Sequence, residues 1–233
     1  MQGETTLAPR VVEIAPGIWQ VGGPELTAPE DAAIYLVDGG SRAAIIDAGC
    51  GAGLDSLCAN ITAAGMPLDR IDTLLLTHCH FDHTGGARAL SDRLGLTVVA
   101  HELDAPYIES GDIAVTAATW YGARLEPCEI DRWLSGTETD IEIGGRTITA
   151  LHIPGHSPGS VAYVMDTDGQ RIVFAQDVHG PLHASLKSNW ADYRASLERL
   201  MALEADVLCE GHYGIFRGRD EIDPFIRSFL VRA

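Results

Sequence analysis

T-H-C-H-F-D-H-T-G-G, running from Thr77 to Gly86, crowds His78, His80, Asp82 and His83 into six residues. The stretch follows Asp72 to Leu76 (D-T-L-L-L), a short apolar run that reads as a buried strand. If the backbone beyond that strand stays extended, His78 and His80 project to the same side, because side chains alternate faces along a strand. Asp82 and His83 then fall where the chain turns ahead of Gly85 and Gly86. An isolated histidine is most often a satisfied core or surface residue. Four imidazole and carboxylate donors in one glycine-bounded loop meet no stability need, and such donors suit Zn, Fe or Mn.

Working outward, the first fifty residues hold V-V-E-I, I-W-Q-V, A-I-Y-L-V and A-A-I-I-D, β-branched or alternating runs broken by P-G, G-G and D-G-G turn signals. Leu54 to Ala64 sets Leu54, Leu57, Cys58 and Ile61 at helical spacing, with Gly65 where a helix ends. Ala87 to Leu94 reads as a helix and L-T-V-V-A as a strand. Residues 102–134 are mixed, a candidate cap-like insertion carrying Tyr107, Trp120, Tyr121 and Trp133. Trp120, Tyr121 and Trp133 could cover a cleft, but aromatic residues at this density more often pack in a core, which is the expectation here.

Strands return as D-I-E-I, R-T-I-T-A-L-H-I, S-V-A-Y-V-M and R-I-V-F-A, with His101 and His152 in or beside strands and so structural. Trp190, Tyr193, Leu197, Leu200 and Met201 mark one helix face, capped by Ser188 or Asn189. Asp206 to Cys209 reads as the last strand and Pro224 to Val231 as a closing helix. The D-T-D-G hairpin signal between Val164 and Ile172 argues against a purely parallel sheet. Sheets bordered by outer helices fit the order, and with no linker or low-complexity tract residues 1–233 read as one domain.

Sixteen Lys+Arg against 33 Asp+Glu leave a net charge of −17 on 233 residues. Such a surface repels nucleic acid and anionic membranes, so the expected partner is a small-molecule substrate; a homodimer is compatible with the sequence. Lys187 is the only lysine. No run approaches the ~20 apolar residues that span a bilayer, and the opening M-Q-G-E-T-T-L-A-P-R does not read as a signal peptide. The expectation is a cytoplasmic protein with five reduced cysteines. Cys79 and Cys209, close to candidate ligands, could line a site.

The remaining donors form a series. His156 lies in I-P-G-H-S-P-G-S, Asp177 ends R-I-V-F-A-Q-D, and His212 follows D-V-L-C in C-E-G-H-Y-G, each just past an apolar run. H-x-H-x-D-H, then G-H-S-P-G-S, then a strand-terminal Asp, then G-H, resembles the metallo-β-lactamase superfamily over most of the chain, from Asp47 to His212. The resemblance implies an α/β fold, a four-layer αβ/βα sandwich of two mixed β-sheets flanked by helices. It also implies two zinc ions per chain, with iron or manganese as alternatives. His78, His80 and His156 would hold the first metal, and Asp82, His83 and His212 the second. Asp177 would bridge both, and Asp47, in I-I-D-A-G, would orient a ligand from behind.

The implied chemistry is hydrolysis of an ester, thioester or lactone by a hydroxide shared between two metals about 3.5–4 Å apart. Asp177 as bridge and Asp82 as proton shuttle are then the catalytic candidates. Ser157 stands at G-x-S-x-G spacing in G-H-S-P-G, but its neighbours suit a metal-site loop better than a serine nucleophile. The substrate branch is less legible. Asp177 is followed by V-H-G-P-L-H-A-S-L-K, without the basic glutathione-binding segment of glyoxalase II, and Gly180 stands where lactonases carry a tyrosine. Lys187 could hold the carboxylate of a β-lactam. His179 and His183, in the loop after Asp177, are candidates for substrate contact. The competing classes are a persulfide dioxygenase with one iron on His78, His156 and Asp177, and a catalytically silent binding protein.

Overall fold

The computed structural model describes residues 11–230. The opening segment read for a leader, and Val231, at which the expected closing helix ends, lie outside the described residues.

Seven strands form one sheet in sequence order: Val12–Ala15 (β1), Ile18–Gly22 (β2), Ile34–Asp38 (β3), Ala43–Ile46 (β4), Ile71–Leu75 (β5), Thr97–His101 (β6) and Arg132–Leu134 (β7). β1 to β4 pair antiparallel and β4 to β7 parallel. The second sheet holds Glu138–Ile143 (β8), Arg146–His152 (β9), Val161–Thr167 (β10), Gln170–Phe174 (β11), Val207–Cys209 (β12) and Ile215–Arg217 (β13), in the order β13-β12-β11-β10-β9-β8. Only β11 and β12 run parallel there. Asp168 and Gly169, both at positive φ, close the β10–β11 hairpin.

The helices are Leu54–Ala63 (α1), Phe81–Thr84 (α2), Ala87–Leu94 (α3), Ala105–Ser110 (α4), Trp190–Ala202 (α5) and Arg219–Leu230 (α6). β3 shows how the layers arise from period-2 side chains. Tyr35 and Val37 enter the core between the sheets, while Ile34 and Leu36 enter the core shared with Leu57, Ile61 and Leu90 of α1 and α3. Tyr35 meets Phe174 of the opposite sheet at a centroid distance of 5.2 Å. A third core, with Tyr193, Leu197, Leu200, Ile222 and Ile226, seats α5 and α6 on the outer face of the second sheet. The result is the expected sandwich of two sheets between helices. Among the described residues no helix is long and apolar enough to cross a membrane.

Two expectations about the C-terminal part change. Asp206 to Cys209 is not the last strand, because β13 follows and pairs antiparallel with β12. α6 starts at Arg219, with Asp220 and Glu221 in its first turn, and takes Pro224 into its interior, at the expense of one backbone hydrogen bond. α5 starts as expected, the Asn189 side chain accepting from the amides of Ala191 and Asp192.

Candidate metal centre

All candidate donors but Asp82 and His83 lie in loops that follow a strand. Asp47 follows β4, His78 and His80 follow β5, and α2, a single turn, carries Asp82 and His83. His156 lies between β9 and β10, Asp177 follows β11, and His212 follows β12. Asp47 and Asp177 both adopt left-handed backbone, φ +62° and +56°, a conformation that Asp tolerates better than most residues and that gathers at functional sites. Gly211 is required by close approach: a Cβ there would stand 2.8 Å from Asp177 Oδ1.

Asp177 divides its carboxylate between two groups of imidazoles. Its Oδ2 lies 3.1 Å from His156 Nε2 and 3.8 Å from His78 Nε2, while its Oδ1 lies 3.2 Å from both His83 Nε2 and His212 Nε2. His212 Nε2 also meets Asp82 Oδ2 at 3.1 Å. Donor atoms of His78, His80, His156 and Asp177 lie within 4.8 Å of one another, as do those of Asp82, His83 and His212. All of these residues are buried except His212.

The far sides of the rings are tied down. His83 Nδ1 meets Asp47 Oδ2 at 2.7 Å, and His156 Nδ1 meets the Pro181 carbonyl at 2.9 Å. His78 Nδ1 reaches Thr77 Oγ1 at 3.1 Å, and that hydroxyl donates to Asp47 at 2.8 Å. With Nδ1–H donating, each ring turns its Nε2 lone pair inward, the arrangement of a metal-ligating histidine. The Nε2 atoms of His78, His80, His83 and His156, with Oδ1 of Asp177, are buried without a hydrogen-bond partner. Leaving such groups unmet costs about 1–3 kcal/mol each. Borderline nitrogen and hard oxygen donors converging on one place suit a divalent cation.

The electrostatics agree. Burial, reinforced by neighbouring imidazoles, holds His78 and His80 well below the usual histidine range, so both are neutral at pH 7. Burial also opposes charge on His83 and His212, but Asp177 and Asp82 outweigh it and raise both, His212 to about 10. Burial would raise the Asp177 carboxyl, yet His83, His156 and His212 hold it well below its usual range. A buried carboxylate pair demands positive charge, which protons or a divalent ion can supply.

Beside the donors lies a cavity of about 160 Å³, lined by His80, Asp82, His156, Asp177, His179 and His212, and by Ala117, Trp120, Tyr121, Pro181 and Leu186. Trp120, Tyr121 and Trp133 are thus not core: all three are exposed, and the first two form cavity wall. Trp133 lies on β7, an edge strand, with Nε1 bonded to the Ile130 carbonyl. Burial and the Asp82 carboxylate raise the Tyr121 phenol above its usual range, so it stays protonated. His179 lines the cavity with Nδ1 on Glu210 Oε1 at 2.8 Å. His183 instead caps the short turn at Ala184–Leu186, and the Lys187 ammonium stands 5.5 Å over the Tyr107 ring, neither lining the cavity. Cys79 and Cys209 pack into the cores rather than the site. His101 and His152 stack on each other with centroids 3.9 Å apart.

The model of the metallo-beta-lactamase superfamily matches residues 28–212, from just before β3 to the last candidate donor. The chain belongs to that superfamily. Among curated relatives, the acyl-coenzyme A thioesterase MBLAC2 of Gallus gallus is 33% identical over 229 residues, covering 86% of this chain and 78% of the relative. A hydroxyacylglutathione hydrolase of Ruegeria pomeroyi is 31% identical over 181 residues, covering 77% and 60%. Among solved structures, the subclass B3 metallo-beta-lactamase BJP-1 of Bradyrhizobium japonicum superposes with a TM-score of 0.73 at 26% identity, covering 89% of this chain and 79% of that one. The class B3 di-zinc metallo-beta-lactamase LRA-12 from an Alaskan soil metagenome gives 0.74 at 26% identity, over 88% and 78%. As a member of this superfamily with hydrolase relatives and a His/Asp cluster suited to divalent ions, the protein is a metal-dependent hydrolase.

Two polar residues around this metal centre escaped the sequence. Glu210 is fully buried and accepts from the amides of His212 and Tyr213 while holding His179. Its place two residues before His212 in C-E-G-H was the available signal. Asp104 is the second, and nothing local in H-E-L-D-A-P marks it.

Proposed function

We propose that the protein is a dinuclear zinc hydrolase that attacks the carbonyl carbon of a small thioester, or of a related ester or lactone, and cleaves its acyl–sulfur or acyl–oxygen bond. The observation that carries this reading is the divided carboxylate of Asp177, with Oδ2 toward His78 and His156 and Oδ1 toward His83 and His212. His78, His80 and His156 would hold one ion, Asp82, His83 and His212 the other, with Asp177 touching both. Bound there, the pair supplies an acidified water and a Lewis acid for the carbonyl oxygen.

The chain's own residues do the rest. Asp82 Oδ2, beside His212, is placed to take the proton of the attacking water and hand it to the leaving sulfur, or to the leaving oxygen of an ester or lactone, as the acyl bond breaks. Tyr121, kept protonated, offers an O–H donor near Asp82. Ala117, Trp120, Pro181 and Leu186 give the acyl group an apolar wall and exclude water. Ala117, Trp120 and Tyr121 come from residues 102–134, which supports reading that segment as a cap within one domain.

The thioesterase relative, sharing 33% identity over 86% of this chain, supports a thioester ahead of an ester or lactone. Against a β-lactam, no Lys or Arg lines the cavity among the described residues, and Lys187 is engaged over Tyr107. The test is metal analysis followed by a hydrolysis screen over thioesters, esters, lactones and β-lactams. Two zinc ions per chain with thioester turnover are expected. One iron per chain with oxygen uptake on a persulfide, or a zinc-loaded protein inert to every thioester, ester and lactone, overturns the reading.

A further inference from the structure

The two loops that supply His78, His80 and His156 are joined by a carboxylate belonging to neither. Asp104, the residue ahead of α4, is fully buried. Its Oδ2 accepts from the Cys79 amide at 2.9 Å and from Ser157 Oγ at 2.5 Å, and its Oδ1 accepts from the Gly159 amide at 2.7 Å. Cys79 lies between His78 and His80, and Ser157 is the residue after His156. Ser160 locks the second loop from within, its Oγ accepting from the Ser157 amide at 3.1 Å. The approach is close enough to require glycine: a Cβ on Gly159 would stand 2.7 Å from both Asp104 Cγ and Asp104 N.

We infer that Asp104 is a positioning residue for the first metal site, setting the separation of the His78–His80 loop from the His156 loop and thereby that site's affinity. The inference rests on the dinuclear reading above. Asp104 does not line the cavity and is not among the grouped donors, so it acts through the backbone of its neighbours. Only a carboxylate suits the place. Three donors converge on it, two amides and a hydroxyl, and an asparagine would turn its own N–H₂ toward one of them. Asp47 braces the second group directly through His83 and also reaches His78 of the first group through Thr77. Asp104 braces the two loops of the first group alone.

The test is a titration of chelator-stripped full-length protein with Co²⁺, read by absorption and by competition with a chromophoric chelator. His156→Ala and His212→Ala provide reference titrations for loss of the first and second site. Asp104→Asn should weaken one equivalent by about 10–100-fold, with a titration matching that of His156→Ala, while the other equivalent keeps the parent affinity. Ser157→Ala, which removes one of the three bonds, should shift the same equivalent by a smaller factor. Ile61→Ala, a cavity variant in the core under α1, should lower the melting temperature without moving either affinity.

A folded Asp104→Asn protein with parent affinities overturns the proposal. So does equal weakening of both equivalents, or the same loss in Ile61→Ala. If Asp104→Asn does not fold, Ser157→Ala decides, and an unchanged first equivalent there is equally fatal. A parent that takes up a single equivalent overturns the dinuclear reading instead. The positioning role is then judged on that one equivalent, upheld if it weakens in Asp104→Asn and rejected if it does not.

Discussion

Asp47 Oδ2 lies 2.7 Å from His83 Nδ1, a contact in which both side chains are wholly shielded from solvent. The same carboxylate receives the amide and hydroxyl of Thr77, whose hydroxyl in turn touches His78 Nδ1. One side chain therefore fixes the orientation of a histidine from each donor group. Asp47→Asn preserves shape and tolerates the left-handed backbone, but an amide cannot accept from all these donors at once. The variant is expected to fold and to bind divalent metal about 10–100-fold more weakly, measured by competition with a chelator. Undiminished affinity would mean that the contact is structural only.

His80→Ala removes a fully buried donor with no partner on its Nε2. Turnover should fall to background while the far-ultraviolet circular dichroism of the variant matches the parent, because no core cluster depends on that ring. Hydrolysis at the parent rate would remove the site from the mechanism.

How much of this was legible in one dimension depends on how local each cause is. The donors of H-x-H-x-D-H are neighbours in the chain, and each later donor ends an apolar run, so strand periodicity and residue type together pointed to them. The hairpin at Asp168–Gly169 and the cap at Asn189 are equally local. β13 was missed because I-F-R is three residues long and carries no period. α6 was placed late because Pro224 looks like a first-turn proline, whereas the acidic pair Asp220–Glu221 marks the true start. Asp104 could not be read, since its importance comes from burial beside a loop 53 residues ahead; Glu210 had a local signal in C-E-G-H, but its hold on His179, 31 residues behind, had none. Trp120 and Tyr121 failed for a related reason: composition counts aromatic residues without saying which wall they face.

Trp120 is 51% exposed and stands at the cavity wall, with the His183 ring 5.7 Å away. Trp120→Ala should raise KM for acyl substrates about 5- to 150-fold, since truncating apolar contact surface costs on the order of 1–3 kcal/mol of binding. Its kcat and melting temperature should change little, because the side chain supports no core cluster. A large fall in melting temperature with unchanged KM would instead make the residue structural.

His101 gives the clearest pH dependence away from the donors. Burial first, then the stacked His152 ring, lowers its pKa from 6.5 to about 4. Between those values the unfolded chain takes up a proton that the folded chain refuses. Stability therefore falls as pH drops from 6.5 toward 4, and above 6.5 the residue has no effect. A shift of this size corresponds to at most about 3 kcal/mol. His101→Phe keeps a ring against His152 and removes the titration. In urea unfolding of metal-stripped protein, the variant should lose about 2–3 kcal/mol less than the parent between pH 7 and pH 4.5. Parallel losses in the two proteins would show that His101 is protonated freely in the folded state, and that its burial does not govern its charge.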